Sequence, residues 1–308
     1  MFEAEGVPTK VEQPMGKVFP VSNKALDVQS ALLRRLQRSG CVLAREEPLE
    51  GLERLDDGFR LTTSQRITTA GKVILTPGGT SFPGCGTTGD GYAWARALGH
   101  TIIPPRPALV PLMTDAAWVH ALSGMTIPDV LVRVMPAEST AGHAGSRGAR
   151  PMALRRGSFL FTHFGLSGPA VLDVSRAVSG HSGPGSLALV CDFLPEMKSE
   201  QFDALLAQQC AADGKRLVAS VLAKWIPQRL AETLVWQLGL PEPLRAAELP
   251  KAARRQLVQA VKQLAIPISG TLGFKKAEVT AGGVDLSEID SSTMQSKQIG
   301  RASCRERV

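Results

Sequence analysis

The sequence predicts an α/β fold in which one domain is interrupted by a large insertion. Helix and strand patterns are mixed up to about residue 106, and short β-like runs then follow to about residue 198. A helical stretch extends to about residue 265, after which β character returns. With 308 residues, 44% of them apolar, the chain is long enough for one large or two medium domains with a buried core.

The elements of the first part follow from apolar spacing and turn residues. Apolar residues recur at helical spacing before Gly40 and again before Gly99, and an Asp-Gly pair separates two alternating runs. Asp90 is expected to cap the second helix. The predicted elements are a helix over 24–38, strands over 41–44, 49–55, 59–63, 66–69 and 72–76, and a helix over 90–98.

The later elements are bounded by prolines and glycines. Four prolines between Ile102 and Pro111 predict a crossing between domains. β-like runs such as residues 130–134 and 187–190 flank a predicted exposed loop over residues 138–150. Helical patterns fill residues 199–264, and residues 266–279 read as strands again.

A glycine-rich segment follows the predicted strand at residues 72–76. Gly84 to Gly89 fits the dinucleotide pattern G-x-G-x-x-G, but seven residues separate it from the strand, and no acidic residue stands at the expected ribose position. A literal dinucleotide turn is therefore not favoured. Two interpretations remain: Gly78-Gly79 and Gly86 to Gly91 admit a ligand close to the backbone, or they form tight turns without a ligand.

Charge and cysteine content limit the partners. The net charge of +7 comes from basic residues scattered along the chain, so a small-molecule substrate is expected rather than nucleic acid. No apolar run is long enough to span a membrane, and a cytoplasmic protein is expected. The five cysteines show no metal-ligand or disulfide spacing, so no metal site is predicted.

Several long motifs in order carry a family resemblance, which extends from about Val18 to Lys297. The chain resembles the BaiN-like or aminoacetone-oxidase-like family of FAD-dependent NAD(P) oxidoreductases. The matching motifs are TPGG at 76–79, GTTGDGY at 86–92, LGH at 98–100, PALVPL at 107–112, FTHFGLSGP at 161–169, AEVTAGGV at 277–284 and TMQSK at 293–297.

The resemblance implies the cofactors and their site. It implies FAD, NAD(P)H as electron donor, and a Rossmann-like FAD/NAD(P)-binding domain carrying a β-rich insert domain and a small helical subdomain. Pro77 stands where the family usually has alanine. The implied cofactor-binding residues are Gly78, Gly79, Gly86, Thr88, Gly89, Asp90, Gly91, Thr280, Gly282 and Gly283.

The implied domain boundaries follow this order. They are a partial FAD-binding domain over 1–106, the insert over 107–198 with return strands over 266–279, the helical subdomain over 199–265, and a C-terminal FAD-binding segment from 280 to 297.

Chemistry beyond cofactor binding rests on few side chains. His163 lies in a glycine- and serine-rich turn and is the candidate catalytic residue, as a proton donor or by orienting substrate; a structural histidine bonded to backbone is the alternative. Gly165-Leu166-Ser167-Gly168 approaches the hydrolase pattern G-x-S-x-G, but Pro169 replaces the last glycine. The two hypotheses are a flavin oxidoreductase acting on a small organic acceptor or oxygen, and a non-catalytic flavin-fold or nucleic-acid-binding module.

Both ends of the chain depart from the family pattern. The glycine-rich phosphate turn expected before Met1 and the cofactor segment expected after Lys297 are not in this sequence. We therefore expect an internal fragment that binds FAD weakly or not at all. Residues 298–308 match an in-frame translation of a sequencing adapter and are interpreted as an artefact.

Overall fold

The computed structural model describes residues 1–13, 16–139, 150–241, 243–299 and 302–304. The chain divides into two compact units, Met1–Ala70 and Gly71–Val308. The fold is mixed α/β, and its largest sheet is antiparallel. Residues 140–149, most of the predicted exposed loop, lie outside the described residues.

The first unit contains a hairpin, a helix and a three-stranded meander. The predicted helix and meander are confirmed, and Gly40 follows the helix with the left-handed φ of 72°. The strand predicted at residues 41–44 is wrong, because these residues are exposed and pair with no neighbouring strand. The elements are β1 (Thr9–Glu12), β2 (Lys17–Pro20), α1 (Ala25–Arg38), β3 (Leu49–Leu55), β4 (Gly58–Thr63) and β5 (Ile67–Ala70).

The second unit carries the remaining elements. Its strands are β6 (Val73–Leu75), β7 (Ile102–Ala108), β8 (Leu112–Met113), β9 (Thr126–Pro136), β10 (Ala153–Thr162), β11 (Gly165–Ser167), β12 (Leu187–Asp192), β13 (Leu264–Pro267), β14 (Gly270–Thr271), β15 (Val279–Val284) and β16 (Ala302–Cys304). Its helices are α2 (Asp90–Ala97), α3 (Ala117–Ala121), α4 (Pro169–Ser179), α5 (Ser199–Ala212), α6 (Val218–Leu222), α7 (Gln228–Gln237) and α8 (Lys251–Lys262).

A seven-stranded antiparallel sheet forms the centre of this unit, in the order β13-β12-β9-β10-β11-β8-β14. Alternate residues of β9, namely Val130, Val132 and Val134, are fully buried, as the two-residue period of a strand requires. The apolar face of α4, which includes Val171 and Val174, joins them in one core. The β-rich character predicted for this region is confirmed.

Helices α5 to α8 form the helical region predicted after residue 199, and two ion pairs fix its end helices. Arg254 on α8 donates two hydrogen bonds to Asp203 on α5, at 2.8 and 3.1 Å. Lys262, at the end of α8, is buried and lies 2.8 Å from the buried carboxylate of Asp192 in β12. The helical region is thereby tied to the sheet by a charge pair as well as by apolar packing.

The Asp203–Arg254 pair predicts a pH-dependent stability. The guanidinium of Arg254 holds the pKa of the Asp203 carboxyl below its ordinary value. Its stabilising effect is therefore complete above the unfolded pKa of about 4 and is lost as pH falls through the folded pKa. Urea unfolding of wild type and Asp203→Asn should differ most near neutral pH and converge below about pH 4. A difference that stays constant with pH would contradict this assignment.

Two smaller strand pairs lie outside the main sheet. β7 pairs antiparallel with β15, and β6 pairs in parallel with β16. The segment from Ile102 to Pro111, predicted to cross between domains, forms strand β7 over Ile102–Ala108, and the crossing itself stays a prediction. Among the described strands β7 pairs with β15 alone, so the three prolines of β7 deprive no second strand of a hydrogen-bond donor.

β16 lies inside residues 298–308, the segment interpreted as a sequencing artefact. That interpretation concerns the DNA and stays a prediction. In the described part of the chain, β6 and β16 form the one parallel strand pair. A Rossmann-like FAD domain therefore remains a proposal.

Candidate functional site

The candidate site is built on the glycine-rich loop between β6 and α2. The loop needs glycine where the backbone is left-handed: φ is 78° at Gly78, 89° at Gly86 and 83° at Gly89. The N-cap predicted at Asp90 is wrong by one residue, because Gly89 occupies the N-cap position and Asp90 is the first residue of α2. The Asp90 carboxylate accepts a hydrogen bond from the Thr88 hydroxyl at 2.6 Å. The loop therefore delivers a constrained backbone to the start of a helix.

Thr280 of β15 fixes this loop from the opposite side. Its hydroxyl oxygen accepts hydrogen bonds from the backbone N–H groups of Thr80 and Ser81, both at 3.0 Å, and lies 2.9 Å from the Ser81 hydroxyl. Because two N–H donors occupy both lone pairs of the oxygen, the Thr280 hydroxyl donates its proton to Ser81. All hydrogen bonds that the buried Thr280 hydroxyl can make are made to the loop, so this hydroxyl positions the loop.

Close packing inside the protein explains two of the predicted cofactor-binding glycines. A Cβ at Gly79 would lie 2.5 Å from the Thr280 oxygen, and a Cβ at Gly91 would lie 2.5 Å from the ring of Pro77. Pro77, the departure from the family pattern, thus packs directly on the first turn of α2. These glycines are required by contacts between loop, helix and strand, and their part in cofactor binding stays a prediction.

Two more glycines form an irregularity in β15. The register with β7 shifts between Ala281 and Gly283, where Gly282 and Gly283 have φ values of 95° and 100°. A Cβ at Gly282 would lie 2.5 Å from the carbonyl oxygen of Pro104 in β7. The bulge brings the two backbones close and needs residues without side chains.

The donors left over in the loop suit a ligand with oxygen acceptors. Within the described residues, the backbone amides of Gly78, Gly79 and Gly89 donate to no protein acceptor, and the buried Thr80 hydroxyl has no hydrogen-bond partner. Of these three residues Gly89 stands at the start of a helix, where amides are the usual donors to phosphate and to other anionic oxygens. FAD presents such oxygens, and the donor set therefore fits this cofactor.

Two exposed apolar side chains, one in the loop and one in the preceding strand, were not singled out in the sequence. Phe82, directly after Ser81, is 53% exposed and has a left-handed φ of 56°. Its amide donates to the carbonyl of Phe274 at 2.9 Å, which holds it in this strained conformation. Ile74 in β6 is 72% exposed. An apolar, planar ligand would find contact area here.

His163, the candidate catalytic residue, lies at the turn between β10 and β11. It is exposed, and its ring contacts Phe164 at a centroid distance of 4.9 Å. Among the described residues its side chain makes no hydrogen bond that would orient the ring. The structure does not bring His163 into contact with the glycine-rich loop, and its catalytic role stays a prediction.

Ser167, the residue of the hydrolase alternative, closes β11 before α4. The φ of Ser167 is not positive, so this residue lacks the strained backbone of a nucleophile elbow. In the part of the chain that is described, its hydroxyl has no histidine partner. The hydrolase alternative gains no support.

A buried histidine that the sequence left without a role anchors the other end of the β7–β15 pair. His100 Nδ1 lies 2.7 Å from a carboxylate oxygen of Glu288, which also accepts the Thr101 amide at 3.0 Å. These bonds hold the pKa of Glu288 below its ordinary value. No described group bonds the buried His100 Nε2. In the sequence, the LGH motif at the end of α2 was the only indication that His100 has a structural role.

A matched pair of alanine variants separates packing from backbone strain. Gly79→Ala should lose about 2–4 kcal/mol because its Cβ collides with Thr280 and with the Tyr92 hydroxyl. Gly86→Ala, with no atom within 4 Å of its Cβ, should lose only about 1 kcal/mol from the left-handed backbone. Urea unfolding measures both, and equal losses would show that the Gly79 contact carries no weight.

The described part of the chain contains neither a metal site nor a helix that could span a membrane. No set of three or more histidine, cysteine, aspartate or glutamate residues is placed to hold a metal ion within the described ranges. In those same ranges, every helix is too short or too polar to cross a bilayer.

Comparison with known proteins identifies a family for most of the second unit. Residues 106–279, more than half of the chain, match the family described as HI0933-like protein barrel and H2TH domain. The matched segment runs from within β7 to the start of β15 and contains the large antiparallel sheet and helices α3 to α8.

Three relatives match nearly the whole chain. The ribosomal RNA dihydrouridine synthase of Escherichia coli (strain K12) is 27% identical over 291 residues, 94% of this chain and 66% of that protein. The 3-dehydro-bile acid delta(4,6)-reductase of Clostridium scindens is 29% identical over 287 residues, 92% of this chain and 66% of that protein. The ribosomal RNA dihydrouridine synthase of Haemophilus influenzae is 28% identical, with 94% and 67% coverage. The chain thus spans about two thirds of the length of these relatives.

Proposed function

Because the chain belongs to the HI0933-like protein family, we propose that it serves an FAD-dependent oxidoreductase that reduces a carbon–carbon double bond conjugated with a carbonyl group. NAD(P)H is the proposed electron donor. The resemblance to BaiN-like flavoproteins supports the cofactor, and the unpaired amides and the Thr80 hydroxyl of the glycine-rich loop are the structural observation that supports its binding.

The substrate class comes from the chemistry that the relatives' names share. A dihydrouridine synthase adds two hydrogens to the ring double bond of uracil, which is conjugated with a ring carbonyl. A delta(4,6)-reductase of a 3-dehydro-bile acid reduces a steroid double bond conjugated with a ketone. A pyrimidine base and a steroid differ in shape. The double bond conjugated with a carbonyl group is therefore the feature that the two substrates share.

The residues of this chain have binding and positioning roles in the proposal. The amides of Gly78, Gly79 and Gly89 and the Thr80 hydroxyl hold cofactor oxygens. Thr280, together with the bulge at Gly282 and Gly283, keeps the loop in place. Gly86, Thr88, Asp90 and Gly91 shape the turn into α2. FAD, when bound, supplies a two-electron carrier between NAD(P)H and the substrate.

Reduction of a conjugated double bond also needs a proton at the carbon next to the carbonyl group. We propose His163 as the group that delivers it, since its imidazole is exposed to solvent and can donate a proton. His163→Gln should lower kcat by about 100-fold or more. An unchanged kcat would leave His163 a surface residue.

The cofactor and its donor are tested by an anaerobic visible spectrum of the protein made from the complete reading frame of the gene. The oxidised protein should be yellow and should bleach when NADPH or NADH is added. A colourless protein that takes up no FAD would refute the flavin assignment. We also propose domain boundaries at residues 106, 198, 265 and 279.

A further inference from the structure

An open groove lies between helices α3 and α7 and contains no residue used in the proposed function. Its volume is about 460 Å³, which falls within the roughly 300–1,000 Å³ that is usual for small-molecule pockets. The groove is therefore large enough for a small organic ligand. The residues that line it are Ala117, Trp118 and Ala121 of α3 with Glu232, Thr233 and Trp236 of α7.

Helical spacing explains why these side chains meet in one groove. Glu232 and Trp236 are four residues apart, so they lie on the same face of α7. Ala117 and Ala121 have the same spacing on α3, and their small side chains leave the space between the helices open. The Arg229 guanidinium donates to the Ala121 carbonyl at 2.6 Å, which ties α7 to the end of α3. The two helices are therefore held at the separation that forms the groove.

Two indole rings form most of the apolar surface of the groove. Trp118 is half-buried and packs against the core, which holds its ring in place. Trp236 is 64% exposed, so most of its surface is open to solvent. Among the described residues, no lysine or arginine stacks on either ring. The face of an indole ring attracts a cation within about 6 Å of its centre, and these rings remain available for one.

One carboxylate gives the groove a negative charge. Glu232 is exposed, and its carboxylate accepts a hydrogen bond from the Gln228 amide at 2.7 Å. In the part of the chain that the structure describes, Glu232 pairs with no lysine or arginine. The Thr233 hydroxyl donates to the Arg229 carbonyl at 2.8 Å, so its oxygen can still accept a hydrogen bond. These groups favour a positively charged ligand over an anion.

We propose that this groove binds a small quaternary ammonium compound, which is a cation with an apolar surface. Indole faces attract its charge, and the Glu232 carboxylate has no cation of the protein to neutralise it. The methyl groups of the ligand carry no N–H donor that would need a partner, so they suit walls made of alanine and indole. The inference goes beyond the proposed reaction and does not rest on it, because binding is measured without flavin or NAD(P)H.

Isothermal titration calorimetry of choline chloride into the 308-residue chain tests the proposal. Wild type should bind choline at least about 10-fold more tightly than the neutral analogue of choline in which carbon replaces nitrogen. Trp236→Leu should weaken choline binding about 10-fold, whereas Trp236→Phe keeps an aromatic face and should lose only about 3-fold. Position 236 is exposed, so both variants should fold, and urea unfolding checks this.

A matched pair of variants tests the contribution of the carboxylate. Glu232→Gln should weaken choline binding about 3–5-fold. Glu200→Gln, at an exposed position of α5, changes the net charge equally and should bind choline within about 1.5-fold of wild type. Equal losses in these two variants, equal affinity for choline and its neutral analogue, or no binding of choline to wild type would each overturn the proposal. Displacement of choline by phosphatidylcholine vesicles would support the quaternary ammonium site and assign its ligand to a lipid headgroup.

Discussion

Lys262→Met is expected to lower the free energy of unfolding by about 3–5 kcal/mol, because it leaves a buried carboxylate without its counter-charge. The Lys262 ammonium lies 2.8 Å from Asp192, donates to the Leu194 carbonyl at 2.5 Å and also donates to the Met197 carbonyl. One cation therefore holds the end of β12 and the following loop. Urea unfolding measures the loss.

Lys251→Met is the matched control, since Lys251 stands on the same helix and is exposed. It should change stability by less than about 0.5 kcal/mol. The double variant Asp192→Leu/Lys262→Met should recover part of the loss, because the unpaired charge is gone. A Lys262→Met protein as stable as the Lys251→Met protein would show that the buried pair is not formed.

Thr280→Val is expected to weaken FAD binding about 10-fold or more and to cost about 2–4 kcal/mol of stability. Valine keeps the shape of threonine but leaves the part-buried N–H of Thr80, the buried N–H of Ser81 and the Ser81 hydroxyl without this partner. The loop that carries Gly78 and Gly79 then loses its fixed position. FAD titration of the complete protein and urea unfolding of the chain measure the two effects.

Thr280→Ser provides the control, because serine keeps the hydroxyl and removes only a methyl group. It should bind FAD within about 3-fold of wild type and lose about 1 kcal/mol. If the valine and serine variants bind FAD equally, the hydroxyl does not position the loop, and the cofactor contacts must lie elsewhere.

The elements that the sequence predicted correctly are those whose ends are set by residues nearby in the chain. Helix α1 ends before Gly40, α2 ends before Gly99, and the meander turns at Asp57-Gly58, all because these residues have a strong backbone preference. The proline-rich strand β7 was missed, because its tolerance for proline depends on having one neighbour in the sheet. Residues 41–44 have strand-like composition but no partner.

Long-range contacts explain what could not be predicted at the site. Thr280 meets Ser81 across 199 residues, and His100 meets Glu288 across 188. The predicted glycines are positioned as a group, but most of them are needed for packing within the protein. The basic residues that look scattered in the sequence include Lys215 and Arg245, which the fold brings together.

Reoxidation of the reduced flavin tests the proposed reaction most directly. The complete protein is bleached anaerobically with NADPH and then mixed with a uridine-containing RNA, a steroid enone, a steroid with an isolated double bond, or buffer. We predict that a substrate with a conjugated carbonyl restores the yellow colour and gains two hydrogens by mass spectrometry, while the isolated double bond does neither. Reoxidation by molecular oxygen alone, with no reduced product from either conjugated substrate, would contradict the proposal.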